Sequence, residues 1–233
     1  MSGAIILTLA LLLHGHRLPM HLVKPAQPSN LPLIVYATGD AGWKRGDRKT
    51  FEELKSWGYP IAGFGSPDYL KHRGPGVKTI TPADLARDYT AMIEFAEAEL
   101  GMPDDTPVIL LGVSRGAGLS VAVAAQESVR DRLRGVVAIG LTKEEEYLEM
   151  DDLYGTLPGL GALPLAVVQS TQDNYLPAAQ ARQLFGADND HRVLRAVSAK
   201  NHNFSDARPA MYEAIRDSLA WISGHSGHSD IED

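Results

Sequence analysis

Hydrophobic positions fall into short apolar runs separated by amphipathic segments. Residues 33–37 (LIVYA), 61–64 (IAGF) and 107–113 (PVILLGV) are continuous and rich in β-formers. Strands covered on both faces have this pattern. Residues 135–141, 164–170 and 192–199 are three further strand candidates. The intervening segments have helical spacing. One starts near Asp47, a favourable N-cap residue, places Phe51, Leu54 and Trp57 on one face, and stops at Gly58 and Pro60. Thr81-Pro82-Ala83-Asp84 opens a second, in which Leu85, Tyr89, Met92, Ile93, Ala96 and Leu100 share a face before Gly101 and Pro103. Small residues mark a helix over 116–126, and residues 178–185 and 209–222 have helical patterns. Strands alternating with helices predict an α/β fold, with a mostly parallel central sheet and helices on both faces.

Two readings compete for the apolar residues 1–13 (MSGAIILTLALLL). As a secretory signal, the run lacks a preceding Lys or Arg and a following small-x-small cleavage site. As a strand, it turns at His14-Gly15 into a second strand over 17–23, giving an N-terminal antiparallel hairpin, which we prefer. His14, His16 and Arg17 interrupt it before the ~20 apolar residues of a membrane-spanning helix are reached. No internal repeat or long linker divides the chain, so residues 1–223 read as one domain and 224–233 as a flexible polar tail. In that tail His225 and His228 have no fixed geometry for a metal. Residues 142–162 read as an irregular insertion over one sheet edge, with Glu144, Glu145 and Glu146 as a solvated face.

Composition narrows the chemistry. The 233 residues carry a formal net charge of -7 and include no cysteine. Thiolate metal sites, disulfides and cysteine nucleophiles are excluded, and nucleic acid is an unsuitable partner for an acidic chain. No cofactor or metal is called for.

The informative residues are Gly112-Val113-Ser114-Arg115-Gly116, a G-x-S-x-G between an apolar strand and a small-residue helix. That context puts the serine on a sharp turn above the sheet, beside helix N–H groups. Serine needs a base, and the base needs an orienting carboxylate. Strand 164–170 is followed by Asp173 and strand 192–199 by His202, so acid and histidine come in the required order at the required edge. The expected oxyanion donors are the backbone N–H groups of Arg115 and Asp40, with Ala41 as second choice for the latter. The expected chemistry is ester hydrolysis through an acyl-enzyme.

GDAGW (39–43), GFGSPDYLKHR (63–73), GVSRGAG (112–118), QDNYLP (172–177) and NHNF (201–204) together resemble the VirJ/AcvB bacterial virulence proteins. The resemblance implies an α/β-hydrolase fold and a serine hydrolase in which Ser114 is nucleophile, Asp173 acid and His202 base. It implies hydrolysis of the aminoacyl ester of lysyl-phosphatidylglycerol in the periplasm, whereas a cytoplasmic location follows if the N-terminal run is a strand and no signal exists. Gly39, Trp43, Asp68, Tyr69, Lys71 and His72 are the expected substrate-binding residues. Asp40 and Asp68 would attract the lysyl amine, and Lys71, His72, Arg73 and Arg115 would meet the lipid headgroup phosphate. The alternatives are a carboxylesterase or thioesterase with a small soluble substrate, and a non-catalytic binding protein of the envelope. Oligomeric state is not legible.

Overall fold

The computed structural model describes residues 4–27, 29–71 and 79–224. Eight strands form one sheet: β1 (Ile5–Leu13), β2 (His16–Lys24), β3 (Leu33–Ala37), β4 (Ile61–Phe64), β5 (Val108–Val113), β6 (Leu133–Ile139), β7 (Leu165–Ser170) and β8 (Arg192–Val197). Their spatial order is β1-β2-β4-β3-β5-β6-β7-β8. β1 pairs antiparallel with β2, and β2 antiparallel with β4; every later pairing is parallel. This is the mostly parallel sheet the alternation predicts, with the N-terminal hairpin added at one side.

Alternate residues of each central strand enter opposite layers, as pleating requires. Ile34, Tyr36, Ile109, Leu111, Val137 and Ile139 pack on one face with α1 (Arg45–Ser56) and α7 (Arg208–Gly224), through Phe51, Leu54, Ile215 and Leu219. Leu33, Val35, Leu110, Val136, Ala138 and Val167 pack on the other with α3 (Pro82–Leu100), α4 (Arg115–Ala124) and α6 (Ala178–Phe185). Two short helices, α2 (Ser66–Lys71) and α5 (Glu127–Arg130), complete the order. Among the described residues, no helix is long and apolar enough to cross a membrane.

Local signals account for most boundaries. The Thr81 hydroxyl accepts the Asp84 N–H, and Gly101 closes α3 in the left-handed conformation. At the hairpin tip His14 and Gly15 both have positive φ, 50° and 78°, as a tight two-residue turn requires. His14 Nε2 lies 2.7 Å from Asp88 Oδ1, and the Tyr69 hydroxyl donates to Asp88 Oδ2 at 2.6 Å. These contacts tie the hairpin to α3 and α2.

One expectation needs correction. α1 begins at Arg45 with Lys44 as N-cap, not at Asp47. The Asp47 carboxylate instead accepts the Gly39 N–H and the Tyr36 hydroxyl, so it serves the neighbouring loop and strand rather than its own helix. Residues 142–162 form an irregular insertion, as the sequence suggests. They make two 3₁₀ turns, Glu146–Leu148 and Tyr154–Leu160, whose Leu148, Tyr154, Leu157 and Leu160 are buried, and they pack on α4.

The tightest backbone approach lies where β5 enters α4. A Cβ on Gly112 would stand 2.0 Å from the Gly116 carbonyl oxygen, and one on Gly116 would stand 2.2 Å from the Ala37 carbonyl oxygen. Only hydrogen fits at either position, and the atoms in the way are main chain, which cannot step aside as a flexible side chain can. Gly116→Ala is therefore expected to destabilise the protein by about 3 kcal/mol or more, or to abolish folding. Gly224→Ala, where a Cβ meets nothing within 4 Å, should leave the urea midpoint nearly unchanged.

Candidate active site

Ser114 sits between β5 and α4 with φ 53° and ψ -117°, a conformation L-residues rarely adopt. Such backbone costs on the order of 1–3 kcal/mol and persists only where surroundings enforce it. Here the enforcement is visible. The Ser114 N–H donates to the Ile139 carbonyl at 2.8 Å, and its own carbonyl accepts the Ala117 and Gly118 N–H groups. The first N–H groups of α4 have no intrahelical acceptor, so the serine stands at a donor-rich helix end.

Asp173 and His202 form the second half of the site. Asp173 follows β7, is buried, and lies with its Oδ2 2.6 Å from His202 Nδ1. Its Oδ1 accepts the N–H groups of Tyr175 and Leu176, and Gln169 Nε2 donates to Oδ2 at 3.1 Å. Four donors thus surround one carboxylate and fix its orientation. His202 follows β8 on a loop that ties itself down: Asn201 Oδ1 accepts the N–H groups of Asn203 and Ser205. The His202 side chain is only 7% exposed. Its Nε2 is buried without a hydrogen-bond partner.

Both halves touch the end of β6. Ile139 bonds the Ser114 N–H, and the next residue, Gly140, lies against the imidazole, where a Cβ would stand 2.9 Å from His202 Cε1. Tyr175 bridges the same space. Its ring meets that of His202 edge-on at 4.8 Å, and it lines one cavity with Ser114.

That cavity, of about 310 Å³, is bounded by Asp40, Ser114, Arg115, residues 142–146 and Tyr175. Carboxylates dominate its wall. Arg115 is held among them, with Nε 3.2 Å from Asp40 Oδ1 and 3.6 Å from Glu145 Oε1, a terminal nitrogen 2.9 Å from Glu146 Oε1, and the guanidinium 4.6 Å from the Tyr147 ring centre. Glu145 is only 4% exposed. Burial pushes its carboxyl up to about 7, against the opposing pull of Arg115.

The family model for the bacterial virulence protein (VirJ) matches residues 32–203, most of the chain. The chain belongs to the VirJ family. Solved structures similar to this VirJ-family chain include a cold-adapted esterase from an Arctic intertidal metagenomic library, with TM-score 0.67, 18% identity, and 97% of this chain and 95% of that one covered. Another is Est1E from Butyrivibrio proteoclasticus, with TM-score 0.66, 16% identity, and coverages of 95% and 100%. These likenesses establish the α/β-hydrolase fold. Among curated proteins, lysophosphatidylserine lipase ABHD12 of Rattus norvegicus is 34% identical over 99 residues, which are 41% of this chain and 23% of that protein. The chain therefore spans under a quarter of that relative's length.

Within the VirJ fold, the structure sorts the expected site residues. Gly39 lies beside the serine, where a Cβ would stand 3.5 Å from Ser114 Cβ, and Asp40 lines the cavity. Tyr69 does not reach it: the side chain is fully buried and its hydroxyl is committed to Asp88. Trp43 packs on Tyr36, Phe51 and His21 and lines a separate groove. Asp68 and Lys71, on α2, are not among the cavity residues; the Asp68 carboxylate lies against Gly65. His72 and Arg73 fall outside the described residues. Arg115 is not free for a phosphate, because three carboxylates surround its guanidinium. The largest correction concerns Glu145: Glu144 and Glu146 are exposed, as a solvated face would be, but Glu145 is buried, and all three border the cavity. Their proximity to Ser114 depends on how residues 142–150 double back, with Glu145 bridging to Met150, and no local sequence signal reports that. Tyr175 was within reach of sequence reasoning, being two residues beyond Asp173.

Proposed function

We propose that this VirJ-family chain is a serine ester hydrolase, with Ser114 as nucleophile, His202 as base and Asp173 as its orienting acid, acting on the aminoacyl ester of lysyl-phosphatidylglycerol. The observation that carries the reading is the buried Asp173–His202 pair, whose free Nε2 belongs to an imidazole packed at the same β6 corner that holds the strained serine. In the proposed reaction Ser114 Oγ attacks the ester carbonyl as His202 Nε2 takes its proton. Asp173 stabilises the resulting imidazolium. The oxyanion receives the backbone N–H of Arg115 at the start of α4 and that of Asp40 from the loop after β3. The Gly39 N–H is already given to Asp47, so Asp40 is the nearest later donor in that loop. His202 then passes its proton to the leaving glycerol oxygen of the lipid. Water, deprotonated by His202, cleaves the lysyl-enzyme and releases lysine.

Charge supports the acyl part of this assignment. A lysyl group carries ammonium charge, and the cavity beside Ser114 presents Asp40, Glu144, Glu145 and Glu146 against Arg115 and Lys143. A neutral acyl group would gain nothing from that wall. Membership of the VirJ family, whose resemblance implies lysyl-phosphatidylglycerol hydrolysis, points the same way.

Three measurements test the reading. Ser114→Ala and His202→Ala should each lower kcat on lysyl-phosphatidylglycerol by at least ~10³-fold with folding intact. Retained turnover in Ser114→Ala would overturn the mechanism. A fluorophosphonate probe should label the wild type at Ser114 and leave Ser114→Ala unlabelled, whereas an unlabelled folded wild type would favour a binding role. The third concerns selectivity and pH. Glu145 is neutral below about 7 and charged above it, while the lysyl ε-ammonium stays charged through this range. The ratio of kcat/KM for a lysyl ester to that for a neutral ester should therefore rise as pH increases through about 7. Taking the ratio cancels whatever pH dependence the two substrates share. Glu145→Gln should flatten the rise and lower the high-pH ratio roughly tenfold, with neutral-ester turnover largely kept.

A further inference from the structure

A second cavity, of about 910 Å³, opens beside the first turn of α1, with Trp43 and Tyr212 as its aromatic wall. Lys44, Arg45, Arg48 and Lys49 surround it, all exposed. The acidic residues on its lining are Glu52 and Glu53, and the Glu52 carboxylate is already paired with Lys55. In a chain of net charge -7 this concentration of cations is the exception. Its position is also locally unfavourable. Lys44 is the N-cap and Arg45 the first residue of α1, so positive charge is stacked on the positive end of the helix dipole. An anion seated there would relieve both the mutual repulsion and the dipole.

The form of the groove indicates what kind of anion. All four cations are exposed and spread over more than a helical turn, and none is buried as the holder of a single small phosphate would be. Half-buried Trp43 and Tyr212 add amphipathic rings. Exposed Lys and Arg flanking aromatic rings match a headgroup region, where phosphates and the first apolar carbons lie side by side. The groove also lies close to the proposed site. Asp40 lines the Ser114 cavity and Trp43 lines the groove. Three peptide units separate them, so their Cα atoms are at most about 11 Å apart.

We propose that this groove is a docking surface for an anionic phospholipid bilayer, seating the chain with its Ser114 cavity beside the lipid headgroups. The lipid nature of the substrate rests on the ester-hydrolase reading; the docking surface stands on its own charge and shape.

Sedimentation with vesicles tests it. Wild type should bind vesicles of equimolar phosphatidylglycerol and phosphatidylcholine, lose binding as salt is raised, and bind poorly to phosphatidylcholine alone. Arg45→Glu/Lys49→Glu should weaken binding to the anionic vesicles at least ~30-fold, from about a tenfold loss per 1.4 kcal/mol and the typical contribution of each basic residue at such a surface. The same variant should hydrolyse a soluble p-nitrophenyl ester at the wild-type rate, which shows that fold and site are intact. Unchanged vesicle binding by the double variant, or equal binding to neutral vesicles by the wild type, overturns the proposal. Displacement from vesicles by millimolar glycerol phosphate also overturns it, since the groove would then be a small-ligand site. The hydrolase reading fails separately, by ester turnover surviving in Ser114→Ala, and that result would leave the vesicle measurements standing.

Discussion

Everything at the candidate site is referred to one steric contact: the first turn of α4 pressed against the end of β3. Gly116 lies so close to the Ala37 carbonyl that no side chain can intervene. Because α4 starts there, Ser114 must make its turn in a costly backbone conformation, and the loop leaving β3 must pass alongside it. The loop after β3, the serine and the helix end are thus placed by main-chain packing and are insensitive to side-chain rotamers. Binding the Ser114 N–H to Ile139 carries the same frame across to β6, and Gly140 carries it to the imidazole. Rigid scaffolding of this kind suits a centre that must hold its dipoles in place before charge develops.

How much of this is legible in the sequence depends on whether a feature is local or assembled. The strand at 107–113, the capped start at Thr81 and the turn at His14-Gly15 are local, and each announces its own geometry. The order Ser114, Asp173, His202 is also readable, because each follows its own apolar run at the carboxyl edge of a parallel sheet. Asp47 misleads because an aspartate before a helix is ordinarily its cap, while a tertiary partner, the Gly39 N–H, claims the carboxylate instead. Tyr69 misleads in a similar way: inside an apparently exposed motif, its ring fills the core and its hydroxyl meets Asp88 from a helix far along the chain. Glu145 is the clearest case. Three consecutive glutamates have the composition of a solvated surface, and only the doubling back of residues 142–150 buries Glu145 beside the serine cavity while its neighbours stay exposed.

The charge distribution has a logic that neither composition nor net charge conveys. The cavity at Ser114 is acidic and the groove at α1 is basic, and the short segment from Asp40, which lines the first, to Trp43, which lines the second, joins them. In the proposed reading, a lysyl ester of an anionic phospholipid presents the complementary arrangement, with ammonium toward Ser114 and phosphate toward the groove. Arg115 sits inside the acidic wall as an internal counter-ion. It keeps three carboxylates close together without their mutual repulsion opening the cavity.

Asp47 couples these regions mechanically. From the helix that bears the basic groove, its carboxylate reaches both the Gly39 N–H and the Tyr36 hydroxyl. The span from residue 39 to residue 47 is therefore a closed ring, pinned at both ends by a single side chain. Lengthening or shortening that span would break the ring beside Ser114, where Gly39 lies against the serine.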